Sequence, residues 1–79
     1  MALYKYPSLI TSTNDSVFDS IHTPGSPASH AGIYRCEGCG REMAIAQGHS
    51  LPPQNHHEHT QNQGLIRWRL IVLADHRPH

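Results

Sequence analysis

Two cysteines separated by two residues, Cys36 and Cys39, limit the folds that are open to this chain of 79 residues. A chain of this length buries little apolar surface, and such small domains usually need a disulfide, a metal ion or a partner to be stable. Two thiolates at this spacing on a tight turn can reach one Zn²⁺ ion at about 2.3 Å. Gly38 and Gly40 favour the turn because glycine accepts positive φ angles. We therefore predict a zinc-binding knuckle at the tip of a β-hairpin.

A group of histidines supplies the second half of the predicted site. His56 follows Cys39 after sixteen residues, and His59 follows His56 after two, so the pattern is C-x₂-C-x₁₆-H-x₂-H. This spacing matches that of two-knuckle zinc sites, with imidazoles in place of the second pair of thiolates. Two alternatives remain open: His57 with His59, or His57 with His49. The predicted ligands of one structural zinc ion are Cys36, Cys39, His56, His57 and His59.

The predicted ligand set argues against catalysis. Two thiolates and two imidazoles fill a tetrahedral zinc site and leave no open position for a substrate. The sequence His57-Glu58-His59 lacks the H-E-x-x-H spacing of zinc hydrolases. An HNH-type nuclease needs a metal-binding helix here, and the two prolines before Gln54 and Gly64 after it leave little room for one. We therefore expect that the protein is not an enzyme.

Apolar periodicity predicts a small β protein with a three-stranded antiparallel sheet, a zinc knuckle and a flexible N-terminal segment. The predicted strands cover residues 32–35, which lead into Cys36, 41–46 and 65–72. In the last strand Ile66, Trp68 and Leu70 alternate with polar residues, which predicts one buried face with Trp68 as its anchor. We divide the chain into a flexible or loosely docked segment at 1–30, a domain at 31–74 and a polar tail at 75–79. Asn14 or Asp15 is expected to cap a short helical turn in the first segment.

Charge limits the partners that we expect. The net charge is zero and the pI is about 7.1, whereas binding through phosphate neutralisation requires a basic surplus. We predict a protein partner, no membrane association and a cytoplasmic location, since the chain has neither an apolar export signal nor a membrane-spanning stretch; the oligomeric state stays open. One alternative is redox or metal sensing through Cys36 and Cys39. The other is nucleic-acid binding through Arg35, Arg41, Arg67, Trp68 and Arg69.

The run from residue 32 to residue 42, GIYRCEGCGRE, followed by Leu51-Pro52-Pro53 and a C-terminal tryptophan strand, resembles the zinc-ribbon group with its rubredoxin-like knuckle. More narrowly, residues 31–73 are similar to small bacterial proteins with the pattern G-x-Y-x-C-x-x-C-G-x-E, then a hydrophobic-Pro-Pro step, a ligand loop and W-x-L. Many ribbons carry a second C-x-x-C after the two prolines. Gln54 and His57 stand at those positions in this chain. The resemblance implies a folding unit or an adaptor for proteins or nucleic acids.

Overall fold

A β-hairpin carries the two cysteines. The computed structural model describes residues 1–54 and 56–75. Strand β1 (Gly32–Cys36) and strand β2 (Glu42–Ile45) pair antiparallel, with Tyr34 opposite Met43. The turn between them is closed by two backbone hydrogen bonds, from the Cys36 amide to the Arg41 carbonyl (2.7 Å) and from the Gly40 amide to the Cys36 carbonyl (2.8 Å). Cys36 therefore ends a strand, and Cys39 lies in the turn.

The third strand completes a sheet with the order β2-β1-β3. Strand β3 (Trp68–Leu73) runs antiparallel to β1, with Trp68 opposite Cys36. A register shift between Ile33 and Tyr34 leaves Ile71 as the extra residue of a bulge. The predicted three-stranded antiparallel sheet is confirmed. The last strand is shorter than predicted, because residues 65–67 lie in the loop that leads into it.

The buried face of the sheet carries most of the core. Trp68 and Tyr34 are completely buried, and the predicted alternation of Ile66, Trp68 and Leu70 toward the interior is confirmed. The Trp68 indole N–H donates to the Pro52 carbonyl (3.1 Å), so its polar atom is paired inside the core. The buried core residues are Ala28, Tyr34, Cys36, Leu51, Ile66, Trp68 and Leu70. Cys36, the residue at which the cysteine turn begins, is therefore itself part of this small core.

The segment before residue 31 reaches the sheet at several points. A 3₁₀ turn spans Ser16–Phe18, and Asp15 caps it by accepting a hydrogen bond from the Val17 amide (3.0 Å), as predicted for this position. His22 pairs through its backbone with Trp68. The Tyr34 hydroxyl donates to the His30 carbonyl (2.8 Å). These contacts cross the predicted boundary at residue 30, and the division into domains stays a prediction.

The remaining elements are short. Two further 3₁₀ turns span Pro7–Leu9 and Gln61–Gln63. Within residues 1–54 and 56–75, no helix has the length and apolar character that crossing a bilayer requires. Of the predicted polar tail, only Asp75 is among the described residues.

Candidate metal centre

The cysteine turn presents both sulfur atoms toward one point. Cys36 is fully buried and Cys39 is exposed, and both are free thiols. Gly40 has a φ of +84°, which confirms the prediction that this position needs glycine. Gly38 has no positive φ, so the prediction for its backbone is wrong. A Cβ atom at Gly38 would lie 2.6 Å from the His59 ring and 2.7 Å from the Gln63 carbonyl oxygen, so glycine is required there by close packing.

Two histidines meet the cysteines across the turn. The Nε2 atom of His59 lies 3.4 Å from the Cys36 sulfur, and the Nε2 atom of His57 lies 3.2 Å from the Cys39 sulfur. The two Nε2 atoms are 3.0 Å apart. One donor atom from each of these four residues lies within 4.8 Å of every other. We call Cys36, Cys39, His57 and His59 the metal cluster.

The other nitrogen of each clustered histidine has a partner. His59 Nδ1 lies 2.8 Å from the Gly64 carbonyl oxygen, which can only accept, so Nδ1 carries the proton and donates. His57 Nδ1 lies 2.8 Å from Nδ1 of His56. Both rings therefore point Nε2 at the cysteines and engage Nδ1 elsewhere. This is the usual arrangement of histidines that bind a metal.

Gln54 holds the histidine loop against the start of the third strand. Its amide nitrogen donates to the Ile66 carbonyl (3.2 Å), and its amide oxygen accepts from the Ile66 backbone N–H (3.1 Å). The side chain therefore pairs with the backbone as a neighbouring strand would. Thr60 and Gln63 form a capping box at the 3₁₀ turn that precedes Gly64. The loop is thus closed at both ends around the two clustered histidines.

The surroundings favour the metal-binding protonation states. Burial raises the pKa of the Cys36 thiol, but backbone N–H groups of Arg67, Cys39 and Gly38 oppose it, and the pKa is lowered from 9.0 to about 7. A large fraction of Cys36 is therefore thiolate near neutral pH, and the thiolate is the form that binds metals. Burial, with the positive charge of Arg41 and the neighbouring histidines, lowers the pKa of His57 below 6.5. His57 is therefore neutral at pH 7, which leaves a nitrogen lone pair available.

The predicted site residues are brought together in part. The cluster contains Cys36, Cys39, His57 and His59, so the geometry matches the alternative pair of histidines. His56 lies beside the cluster, against His57 and Trp68. His49 lies in the turn after β2, where its backbone bonds to Ala46 and Ala28. The contacts made by Gln54 and the Gly64 carbonyl were not predicted, because they join residues whose proximity depends on the loop conformation.

Taken together, the sheet and the cluster define a small β protein with a Cys₂His₂-type candidate metal centre. The chain is 44% identical over 64 residues to an Escherichia coli protein named "Protein L", and the match covers 81% of this chain and 72% of that protein. The chain therefore belongs to the family of this Escherichia coli protein. That name specifies neither a ligand nor an activity.

Two other comparisons gave no match. No protein-family model matches the sequence. No solved structure matches the chain.

Proposed function

We propose that the protein is a non-catalytic module that binds one structural zinc ion through the metal cluster. The observation that carries this proposal is the convergence of two sulfurs and two imidazole nitrogens within 4.8 Å. Thiolate and imidazole are the ligands that structural zinc sites use. Four protein donors complete a tetrahedral shell, which argues for a structural ion without an open position for substrate.

The spacing of the donor atoms fits a single tetrahedral ion. With Zn–N of about 2.0–2.1 Å and Zn–S of about 2.3 Å, a tetrahedron places two nitrogens about 3.3 Å apart and a sulfur and a nitrogen about 3.6 Å apart. The corresponding distances here are 3.0 Å between the two Nε2 atoms, and 3.4 Å and 3.2 Å between sulfur and nitrogen. Small outward shifts would accommodate the ion.

Metal content tests the proposal directly. We expect native mass spectrometry of the purified protein to show one zinc ion per chain. Replacing His57 or His59 with Ala, or Cys39 with Ser, should abolish stoichiometric zinc at micromolar protein, because each change removes one of four ligands. Cys39 is the better cysteine to replace, since its side chain is exposed, whereas Cys36 is itself a residue of the buried core.

Two histidines outside the cluster serve as controls for the same measurement. His49→Ala and His30→Ala also remove an imidazole, but neither residue belongs to the cluster. Both variants should retain one zinc ion per chain. If the purified parent protein binds no zinc even after incubation with zinc, the proposal is contradicted. Equal zinc content in the His57, His59 and control variants would also contradict it.

A protein-interaction role is the second part of this proposal. On the open face of the sheet, Ile33, Ala44 and Val72 line a shallow apolar depression that is accessible to a partner. The zinc-ribbon resemblance agrees with a small adaptor, and the cytoplasmic location stays part of the proposal. Nucleic-acid binding is less well supported, because Trp68 is completely buried and cannot stack on bases. Arg35 and Arg69 also each lie within 4 Å of Glu37. Salt-dependent binding of random-sequence DNA would overturn this preference.

Redox sensing is a second candidate, favoured by the exposure of Cys39 beside the low-pKa thiol of Cys36. Hydrogen peroxide would oxidise the two thiolates to one disulfide. It would take up the two electrons released and two protons from solvent, and leave as two water molecules, while the zinc ion dissociates. Mild peroxide treatment should then release one zinc ion for every two thiols lost, and a dithiol should restore binding. Zinc retention while peroxide is consumed would exclude this role.

A further inference from the structure

We infer that His56 is a positioning residue that fixes the tautomer and the orientation of His57 in the metal cluster. The inference rests on the proposed zinc site, and it concerns a histidine outside the four clustered donors. His56 is also a residue that the sequence spacing assigns to the metal itself.

The first step concerns the proton of His57. When Nε2 binds a metal, its lone pair is used, so the proton of the neutral ring must lie on Nδ1. His57 Nδ1 lies 2.8 Å from Nδ1 of His56, which is a hydrogen-bond distance. His57 therefore donates this bond, and His56 accepts it with an unprotonated Nδ1. His56 consequently carries its own proton on Nε2, and its Nδ1 lone pair is not available to the metal.

The second step concerns what holds His56 in place. Its ring contacts the ring of Trp68 edge to face, with centroids 6.1 Å apart and an angle of 70°. Its backbone amide donates to the Pro53 carbonyl (3.0 Å), which closes a turn at the start of the histidine loop. Trp68 is the fully buried anchor of the core. His56 therefore connects the rigid core to a ligand on the loop.

The third step compares the two clustered histidines. The Nδ1 proton of His59 goes to the Gly64 carbonyl, a backbone acceptor that no side-chain substitution removes. The Nδ1 proton of His57, in contrast, is accepted by the side chain of His56, which a substitution can remove. Partners of this kind fix the ring of a metal-binding histidine and raise its basicity, and their loss typically lowers metal affinity by about 10–100-fold. His56 should therefore control affinity without contacting the metal.

A matched pair of variants tests the inference in the full-length protein. In His56→Asn the side-chain oxygen can occupy the position of Nδ1 and accept from His57, whereas His56→Leu has nearly the same shape and no acceptor. Both lose the ring contact with Trp68 equally. We expect His56→Leu to bind zinc about 10–100-fold more weakly than the parent in competition with a chelator of known affinity. The zinc affinity of His56→Asn should remain within about threefold of that of the parent, because the acceptor for His57 is retained.

A second readout separates orientation from stability. Both variants should still bind one Co²⁺ ion, and only His56→Leu should shift the visible absorption bands, since these report the geometry of the ligands. With saturating zinc, both variants should have the far-ultraviolet circular dichroism spectrum of the parent, which shows that the fold itself is unchanged. Equal zinc affinity of parent, His56→Asn and His56→Leu would overturn the inference, and so would an equal loss in both variants. A parent that binds no zinc would overturn the proposed metal site itself, which is a distinguishable result.

Discussion

Removal of zinc by a chelator is expected to unfold the sheet between residues 32 and 73. Binding of structural zinc in small domains has an apparent free energy of about 10–16 kcal/mol, whereas whole domains are stable by only about 5–15 kcal/mol. The buried core described for this chain contains seven residues, and one of them, Cys36, is also a member of the metal cluster. Loss of the ion therefore removes a large part of the stability. Near-ultraviolet circular dichroism of Trp68 and amide dispersion in NMR spectra should both collapse.

Addition of metals to the stripped protein provides the control for this experiment. Stoichiometric Zn²⁺ should restore both signals, and Mg²⁺ should not, because Mg²⁺ prefers oxygen ligands. The Cys39→Ser variant should resemble the stripped protein whether or not a chelator is present. A native spectrum and an unchanged thermal midpoint in protein shown to contain no zinc would contradict the expected unfolding.

The hairpin and the buried strand face were predictable because they depend on local patterns. The C-x-x-C-G turn requires glycine at residue 40, and the observed φ of +84° is the conformation that such a turn imposes. The alternation of Ile66, Trp68 and Leu70 predicts a strand with one buried side, and these three side chains are buried. The chain offers few large apolar groups, so Trp68 had little competition as the anchor of the core.

The choice among the histidines could not be predicted from spacing, because it depends on the shape of the loop. The x₂ spacing of His56 and His59 mimics a second knuckle, but no glycine follows to make a tight turn there. Residues 56 and 57 form a bend, and residues 58 and 59 belong to neither a helix nor a strand. In such a chain, side chains two residues apart can lie on the same side, and His57 and His59 do so. The position of Gln54 illustrates the same limit, since its partner Ile66 lies twelve residues away.

Truncation of the core tryptophan, Trp68→Ala, is expected to be the most damaging change outside the metal ligands. Replacing a buried aromatic residue with alanine usually costs about 3–5 kcal/mol, because the cavity persists. Here the change also removes the hydrogen bond to the Pro52 carbonyl and the ring contacts with His56 and His57. For a domain of this size, each 1 kcal/mol lowers the melting temperature by about 4–8 °C. We therefore expect the zinc-loaded variant to melt at least about 12 °C below the parent.

Two further variants separate the contributions of Trp68. Trp68→Phe keeps an aromatic ring against the histidines but cannot donate to the Pro52 carbonyl. Its stability should therefore lie between that of the parent and that of Trp68→Ala. Leu65→Ala removes a side chain that is 70% exposed, and it should change stability by no more than about 0.5 kcal/mol. Melting can be followed by far-ultraviolet circular dichroism, which does not require the tryptophan. Melting of Trp68→Ala within about 2 °C of the parent would show that Trp68 does not anchor the core, since each 1 kcal/mol corresponds to a larger shift.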